Sequence, residues 1–430
     1  MINIHVLKDL IKDNLPPYLL NQQPFKPGES TVWYSGPYWD EREIMAGVDS
    51  LLNGNWITAG SKVNMFERKF GKKFNVKYSH MVNSGSSANL IMMAALKKRF
   101  KWQDGDEIIV SPVGFATTIS VIDQNKLKPV FVDIEWDTLN FDLRLIEDKI
   151  TSRTRGIFIS PVLGNPPNMD FLKMLGEIYN VPLILDNCDS LGSKWEGVNL
   201  GEYAVAFSNS FYPAHHISTG EGGMVCTNDE ELAKLIVSYS WWGRACWCVG
   251  AANTLPNGSC GCRFDTHLEG YDEIIDHKYV FDNMGYNVKP LDLQGAIGLI
   301  QLEKFDEIEA NRKNSYNQIK KIFTENIDGV EGVDASYKAD VSWFGTPFIC
   351  KTKELKQKLV AHLELNKIQT RNYFAGNILM HPGYKHLGDY KDYPEANKVL
   401  DKVFFIGAAP HYTEEIFEYI EKVVKSFKYE

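Results

Sequence analysis

The chain has 430 residues, of which 46 are basic and 55 acidic, so its formal net charge is −9. This length is more than one hydrophobic core usually spans, which predicts a large domain with a smaller companion. The acidic balance argues against nucleic acid or an anionic membrane as the main partner, because both bind basic surfaces.

The N-terminal segment MINIHVLKDLIKDNLPPYLL carries Lys8 and Asp9 where a secretory signal peptide would keep its apolar stretch. No run of the sequence approaches the ~18 apolar residues that a membrane-spanning helix needs. We therefore expect a cytoplasmic protein with no membrane partner.

Between about residues 75 and 225, short apolar runs alternate with amphipathic stretches. This rhythm is typical of strands that alternate with helices in a mostly parallel, buried sheet. The predicted strands are DEIIVSP, LKPVFVD, GIFISPV, VPLILD and GGMVCT. The stretch SSANLIMMAALKKRF predicts a helix, because it begins with serines that can cap it and continues with apolar residues at helical spacing.

The second part of the chain has a different pattern of predicted secondary structure. Residues 249–264 are rich in Gly, Asn and Pro and predict a loop. After about residue 300, long charged helices, a strand-like run in SWFGTPFICK and a final helix predict a small α+β domain. Five residues of that final helix are expected on one apolar face: Phe417, Ile420, Val423, Val424 and Phe427. We place the division between a large domain, 1–305, and a small one, 306–430.

Candidate ligand-binding residues lie in the large domain. Parallel sheets bind ligands at the carboxyl ends of their strands, and Asp186 closes the predicted strand VPLILD there. It could hold the protonated ring nitrogen of a pyridoxal cofactor or simply cap a helix. Ser84, Gly85 and Ser86 precede a helix and could wrap a phosphate, or form an ordinary capped start. Phe115 could stack on a planar ring or lie in the core.

The segment SFYPAHHISTGEGGMVCT is more specific. It resembles the S-F-x-P-x-K-x-x-x-x-G-E-G-G segment of the fold-type-I aminotransferases that act on nucleotide-linked keto-sugars. Their lysine attaches the cofactor, and His215 stands in its place. The resemblance implies an α/β fold of the fold-type-I pyridoxal-phosphate class, with a mostly parallel central sheet flanked by helices.

Replacement of the lysine has chemical consequences. Because no amine can attach the cofactor, it would enter as pyridoxamine 5′-phosphate, which already carries the nitrogen that condenses with a ketone. An imidazole that titrates near neutrality can still remove a proton from the C4′ carbon of the cofactor. We therefore predict that His215 is the catalytic base. His216 occupies the next position, whose side chain would point the other way in an extended backbone.

Seven cysteines are too few and too unevenly placed for a secreted disulfide framework. Cys188 follows Asp186 by two residues, so both side chains would face the same side of an extended strand. Cys226 and Cys350 lie in apolar runs and are predicted to be buried, inert thiols.

The other four cysteines crowd together as Cys246 and Cys248, then Cys260 and Cys262. In a reducing compartment this density indicates metal chemistry more often than crosslinking. Four thiolates could bind zinc or an iron–sulfur cluster, and the local spacing leaves both open.

One lysine-lacking branch of the family, the CDP-4-keto-6-deoxyglucose 3-dehydratases, carries a [2Fe–2S] cluster on a distant cysteine, a C-x-C pair and a following cysteine. The chain resembles that branch in SGSSAN, NCDSLGS, FYPAHH, GEGG, C-W-C and DHKY. The resemblance implies four cluster ligands: Cys188, Cys246, Cys248 and Cys260. The loop before the last ligand is longer here than in the family, which leaves Cys262 as the alternate fourth ligand.

The resemblance also implies an activity, partners and further site residues. The reaction would be C3 dehydration and deoxygenation of a nucleotide-diphosphate 4-keto-6-deoxyhexose, leading to the 3,6-dideoxyhexoses of lipopolysaccharide. An NAD(P)H-dependent flavin and iron–sulfur reductase would supply the electrons. The implied cofactor-binding residues are Gly85, Ser86, Phe115, Asp186, Asp189, Ser210 and Asn287. The implied sugar-side residues are His216, Arg371, Phe374 and Asn377.

A homodimer is implied as well, because Asn287 would reach a phosphate across a subunit interface. Two alternatives stay open. One is a dehydratase of the same fold that uses no cluster and releases ammonia by hydrolysis, against which the cysteines argue. The other is a zinc-stabilised, non-catalytic homologue, against which intact Asp186, Ser210 and His215 argue.

Overall fold

A computed structural model of the chain describes residues 4–14, 24–54, 56–246, 261 and 263–429. Its strands are β1 (Tyr78–Val82), β2 (Glu107–Val110), β3 (Lys128–Phe131), β4 (Thr154–Ile159), β5 (Leu183–Asp186), β6 (Lys194–Trp195), β7 (Val198–Asn199), β8 (Ala206–Ser210), β9 (Gly223–Thr227), β10 (Thr266–Leu268), β11 (Tyr271–Ile275), β12 (Val330–Gly332), β13 (Ala339–Asp340), β14 (Gly345–Cys350), β15 (Thr370–Asn372) and β16 (Val403–Gly407).

The α-helices are α1 (Ile4–Asn14), α2 (Glu41–Asn53), α3 (Ser61–Lys73), α4 (Gly85–Arg99), α5 (Ala116–Gln124), α6 (Met169–Tyr179), α7 (Glu230–Ser240), α8 (Asp292–Glu303), α9 (Phe305–Asn326), α10 (Lys353–Leu365), α11 (Pro394–Lys402) and α12 (Glu414–Ser426). Within the described ranges, none is both long and apolar enough to cross a membrane. The helix predicted at SSANLIMMAALKKRF is confirmed as α4. Ser84 caps it, since its Oγ accepts a hydrogen bond from the Ser87 backbone at 3.1 Å.

The main sheet has seven strands in the order β1-β9-β8-β5-β4-β2-β3. Five neighbours, β8 to β3 in that order, run parallel, and β9 runs antiparallel to both β1 and β8. The prediction of a mostly parallel sheet is therefore confirmed. Both faces are covered: Ile157 and Ile159 of β4 lie in one hydrophobic core and Phe158 lies in the other. Two-sided burial explains why these strands are apolar runs without alternation.

A second sheet, β12-β14-β16-β15, is antiparallel throughout and includes the predicted strand SWFGTPFICK as β14. Helix α12 packs on this sheet's core with a buried face of Phe417, Ile420, Val423 and Val424. Phe427 was expected on the same helical face, but it follows the end of α12 and is half-buried against the same core. Helix α9 joins the two parts, because Phe305 lies in the main core and Phe323 in the second. The domain limits 1–305 and 306–430 stay a prediction.

The apolar pattern of the sequence does not predict β1, β10 or β11. Strand β1 has the sequence YSHMV and lies at the edge of the main sheet, where its first residues stay partly exposed. The hairpin formed by β10 and β11 is exposed along most of its length. Without burial, these segments have no reason to show a hydrophobic period.

A cavity of about 490 Å³ beside β1 contains an interacting acid and imidazole, Glu67 and His80. Their side chains are 16% and 17% exposed, and Glu67 Oε1 lies 3.5 Å from His80 Nδ1. Glu67 Oε1 also accepts a hydrogen bond from the Met81 backbone at 2.7 Å, and His80 Nε2 lies 2.7 Å from Ser240 Oγ. Burial raises the pKa of Glu67 to about 8 and lowers the pKa of His80 to about 4. Both side chains are therefore mostly uncharged at neutral pH.

We expect Glu67→Gln to remove one pH-dependent part of the stability. A carboxyl whose pKa is raised on folding stabilises the protein below its unfolded-state pKa, and this contribution is lost as the pH rises through the folded value of about 8. Relative to the variant, the wild type should lose free energy of unfolding between pH 5 and pH 8, as measured by urea titration. The substitution also removes the Glu67 contact of His80, so the difference between the two proteins reports on the pair.

The exposed Glu303→Gln serves as the control, because its carboxyl is 59% exposed on α8. This variant should keep the pH dependence of the wild type. A Glu67→Gln protein with the same dependence as the wild type would show that Glu67 is ionised in the folded chain.

Candidate active site

The carboxyl ends of the main-sheet strands meet at one edge, and a cavity of about 280 Å³ lies there. Residues at or just after the ends of β1, β2, β4, β5 and β8 line it: Ser84, Phe115, Ser160, Asp186 and Ser210. Tyr34, Phe344 and Phe374 complete the wall from distant parts of the chain. This is the place where parallel α/β sheets bind their ligands.

Asp186 is the centre of a hydrogen-bond network in the cavity wall, with only 4% of its surface exposed. Its Oδ2 accepts hydrogen bonds from Asn89 Nδ2 and Thr118 Oγ1, each at 2.7 Å. Its Oδ1 accepts from the Cys188 backbone at 3.2 Å and from Ser208 Oγ at 3.4 Å. A carboxylate is costly to bury unless donors replace its water. These donors hold Asp186 in one orientation.

The first turn of α4 touches the end of β8 beside the cavity. A Cβ added at Gly85 would lie 2.5 Å from Ser210 Cβ and 3.1 Å from Cys188 Sγ, so only glycine allows this contact. Ser84, Ser86 and Ser210 place hydroxyl groups in the same wall. The free N–H groups and the positive dipole end of α4 favour an anion here. Within the described part of the chain, no lysine or arginine lines the cavity.

His215 lies in the bend between β8 and β9 and lines the cavity. Its ring packs against the Phe344 ring, with 5.1 Å between the centroids. Nδ1 has no hydrogen-bond partner among the described residues and lies 3.6 Å from Asp189 Oδ1. Burial, with a smaller effect of the Arg312 charge, lowers the pKa of His215 to about 3. The imidazole is therefore neutral at physiological pH, and its pKa lies well below the near-neutral value expected from the sequence.

Asp189, expected near the cofactor, lies in the cavity wall beside His215. Burial, together with the nearby Asp186 carboxylate, raises the pKa of Asp189 to about 7. Its Oδ2 accepts a hydrogen bond from the Leu163 backbone at 3.4 Å. Burial keeps the His215 imidazole uncharged. The contact between Asp189 and His215 is therefore a contact between a carboxyl group and a neutral ring, not an ion pair.

Two residues expected on the sugar side lie outside the cavity wall. His216 lies in a bend, not in an extended backbone, and is 1% exposed. Its Nε2 lies 3.0 Å from the Ser342 carbonyl oxygen. Asn377 is fully buried; its Nδ2 donates to Asn397 Oδ1 at 2.8 Å, and its Oδ1 accepts from the Leu379 backbone. Their polar groups are used inside the fold, and neither residue lines the cavity in which the sugar is expected.

The remaining predicted residues have varied positions. Phe115 is 52% exposed and lies in the cavity wall, with its ring 5.9 Å from the ring of Phe374, which also lines the cavity. The Arg371 guanidinium lies 4.1 Å from the ring of the cavity residue Tyr34. Asn287 is exposed and does not line the cavity of its own chain. The structure thus brings the aromatic residues into the site and leaves Asn287 on the surface.

Sequence reasoning misses several residues that build the site. Asn89 and Thr118 lie inside helices as ordinary polar residues, and nothing in the sequence pairs them with Asp186. Tyr34 precedes the main sheet by more than one element, and Arg312 lies within the charged helix α9. Only the fold brings these distant positions together. One signal was available for Asn89, because it belongs to the matched segment SGSSAN.

The described cysteines lie in different parts of the fold. Cys188 lines the cavity, and burial raises its thiol pKa well above the usual value. Cys246 is buried beside Ala59 and Trp241. Cys226 and Cys350 are buried, as predicted. Three predicted or alternate ligands lie outside the described residues: Cys248, Cys260 and Cys262. In the part of the chain that is described, no group of three or more His, Cys, Asp or Glu side chains could hold a metal ion.

Comparison with known proteins gives the same fold. Residues 39–427 match the profile of the DegT/DnrJ/EryC1/StrS aminotransferase family. Among solved structures, the Escherichia coli GDP-4-keto-6-deoxy-D-mannose-3-dehydratase with bound hydrated pyridoxal phosphate superposes with a TM-score of 0.80 at 29% identity, covering 92% of this chain and 99% of that one. The predicted fold class, the fold-type-I pyridoxal-phosphate class, is confirmed.

Two curated relatives cover nearly the whole chain. The lipopolysaccharide biosynthesis protein RfbH of Salmonella typhimurium is 37% identical, over 95% of this chain and 94% of that protein. The dTDP-4-dehydro-2,6-dideoxy-D-glucose 3-dehydratase of Saccharopolyspora spinosa is 36% identical, over 98% of this chain and 92% of that protein.

The cavity fits a pyridoxal-type cofactor. Gly85 and the hydroxyl groups of Ser86 and Ser210 line the cavity at the N-terminus of α4, where a phosphate would bind, and the buried Asp186 carboxylate lines the same cavity. The imidazole of His215 has an unpartnered, buried nitrogen in that wall. A phosphate would bind at the N-terminus of α4, a protonated ring nitrogen would pair with the Asp186 carboxylate, and a proton donor would bond the free nitrogen of His215.

Gly85→Ala should weaken binding of pyridoxamine phosphate at least about tenfold, because the new methyl group would displace Ser210. The dissociation constant is measured by absorbance titration of the apoprotein. Gly114→Ala is the matched control, since a Cβ there would meet nothing within 4 Å. Unchanged binding in Gly85→Ala would show that the phosphate lies elsewhere.

Proposed function

The chain belongs to the DegT/DnrJ/EryC1/StrS aminotransferase family, and from this premise we propose that it removes the C3 hydroxyl of a nucleotide-diphosphate-linked 4-keto-6-deoxyhexose. The reaction would use pyridoxamine phosphate and a [2Fe–2S] cluster. Relatives named as 3-dehydratases of dTDP- and GDP-linked keto-sugars support the class of reaction. The relative named as a lipopolysaccharide biosynthesis protein supports the proposal that the product becomes part of lipopolysaccharide.

One observation carries this proposal: His215 lies in the cavity wall, and no lysine of the described residues lines the cavity. A lysine amine is what attaches a pyridoxal cofactor to an aminotransferase. An imidazole cannot attach the cofactor in this way, but a neutral imidazole can accept a proton. The site is therefore suited to proton removal from a cofactor that is free to leave.

When bound, pyridoxamine phosphate supplies an amine that condenses with a ketone and a ring that takes up an electron pair. Asp186, oriented by its four donors, would hold the ring nitrogen in its protonated form. Ser210, Ser86 and Gly85 would bind the phosphate, and Phe115 would cover the ring. His215 would accept the proton that leaves the C4′ carbon of the cofactor. The electron pair released by this proton transfer would expel the hydroxyl group from C3 of the sugar.

A cluster is proposed on the cysteines. Cys188 lines the cavity beside Gly85, so a cluster bound to it would lie next to the first cofactor. The other ligands would be Cys246, Cys248 and Cys260, with Cys262 as the alternate. Deoxygenation at C3 consumes two electrons, and a one-electron cluster would pass them singly from an NAD(P)H-dependent flavin and iron–sulfur reductase.

We also propose a homodimer in which Asn287 serves the pocket of the neighbouring subunit. Asn287 is exposed and lies outside the cavity of its own chain, which supports such a role. Arg371, stacked on Tyr34, would meet the anionic side of the substrate, and Phe374 would contact the sugar.

His215→Asn should bind pyridoxamine phosphate with an unchanged dissociation constant but lose at least about 100-fold in turnover, because an amide cannot act as the base. The measurement is loss of deuterium from the C4′ carbon of labelled cofactor, in the presence of CDP-, GDP- or dTDP-4-keto-6-deoxyhexose. The wild type should release the label with at least one of these sugars. Release at the wild-type rate by His215→Asn would contradict the base assignment.

Anaerobically purified protein should be red-brown, with about two irons and two sulfides per chain. Cys188→Ser should lose most of this iron while keeping the fold. Cys350→Ser, in the second sheet, is the control and should keep it, because Cys350 is buried in β14 away from the cavity. A colourless wild type without metal would favour the cluster-free dehydratase, and one with zinc would favour a metal-stabilised loop without electron transfer.

A further inference from the structure

Arg312 of helix α9 has no exposed surface and lies between the two sheets. Its Nη2 donates hydrogen bonds to the carbonyl oxygens of Ala214 at 2.9 Å and His215 at 3.1 Å. Both acceptors belong to the bend that carries the cavity imidazole. The guanidinium therefore holds the backbone at the residue expected to act as the base.

The other end of the same guanidinium binds the second sheet. Its Nη1 donates to the carbonyl oxygens of Phe344 at 3.1 Å, and of Trp343 and Ala408, each at 3.4 Å. Trp343 and Phe344 come directly before β14, and Ala408 comes directly after β16. These strands are neighbours, with Gly345 opposite Gly407. Arg312 thus joins the ends of two paired strands to the bend.

The bend has a second attachment to the same segment. The His216 ring nitrogen Nε2 lies 3.0 Å from the Ser342 carbonyl oxygen, and the His215 ring packs on Phe344. Within the bend, the His215 backbone donates to the Tyr212 carbonyl oxygen at 2.9 Å. The Ala214 and His215 carbonyl groups, in contrast, accept hydrogen bonds from outside the bend, so their orientation depends on what surrounds it.

We propose that Arg312 is a positioning residue for His215, holding the imidazole in the cavity wall by fixing the Ala214 and His215 peptide groups to the end of the second sheet. The inference deepens the proposed function and rests on it for the role of His215. Arginine suits this place because its planar fork donates in two directions at once. A lysine ammonium has one nitrogen and could satisfy only one of the two sets of carbonyl groups.

Arg312→Lys tests the proposal, with Ser315→Ala as the matched control. Ser315 is also buried on α9 and donates one hydrogen bond, from Oγ to the Ala409 carbonyl oxygen at 2.8 Å, but it does not touch the bend. Both variants should lower the melting temperature. Only Arg312→Lys should lower kcat, by at least about 30-fold, with KM within about threefold of the wild type.

Hydrogen exchange gives a readout that does not need the activity. The amides of His215 and Thr219 are bonded inside the bend, and in Arg312→Lys the peptide that covers residues 211–219 should exchange at least about tenfold faster than in Ser315→Ala. Equal exchange rates and equal kcat in the two variants would overturn the proposal. A wild type that acts on no keto-sugar would instead refute the proposed function and leave this exchange test intact.

Should Arg312→Lys fail to fold, the wild type alone decides. Native-state exchange at increasing urea should show the bend opening together with β14 and β16, because one guanidinium joins them. If the amides of His215 and Thr219 exchange through an opening that leaves β14 and β16 protected, the proposal is wrong.

Discussion

The burial of the Asp186 carboxylate at the end of β5 is the constraint on which the rest of the pocket depends. With 4% of its surface exposed, this group needs donors in place of water. Two of them come from the helices that follow β1 and β2: Asn89 lies one turn beyond Gly85, and Thr118 lies one turn beyond Phe115. The position of this one buried carboxylate is therefore tied to the positions of the first turn of α4 and the Phe115 ring.

His215 lies between two strands of the main sheet in the sequence, but its contacts are with residues at the end of the second sheet. The bend that carries it connects β8 to β9, but its carbonyl groups are held by Arg312 and its ring by Phe344. Buried carbonyl groups need donors, and a short bend cannot supply enough of its own. The position of the imidazole thus depends on how the two sheets pack, which links the stability of the interface to the chemistry of the cavity.

Electrostatically the cavity is unusual for an anionic ligand. Among the described residues its lining includes Asp186, Asp189 and Glu221 and neither lysine nor arginine. A phosphate there would depend on the hydroxyl groups and on the N-terminus of α4, which acts as about half a positive charge. This explains why the close approach at Gly85 matters: dipole and N–H interactions are effective only at short range.

The sequence by itself determined five strands of the main sheet, helix α4, the acid at the end of β5 and the histidine at the position of the family's attaching lysine, because apolar runs and short motifs are local signals. The sequence did not predict the partly exposed strand β1 or the exposed hairpin of β10 and β11, because an unburied segment shows no hydrophobic periodicity. The sequence could not show that His216 and Asn377 are buried outside the cavity wall, because their direction follows from a bend and from buried partners far along the chain. Only the tertiary structure decided that Asn89 and Thr118 orient Asp186 and that Arg312 holds the bend, because each contact joins residues from separate elements whose proximity depends on how the sheets and helices pack.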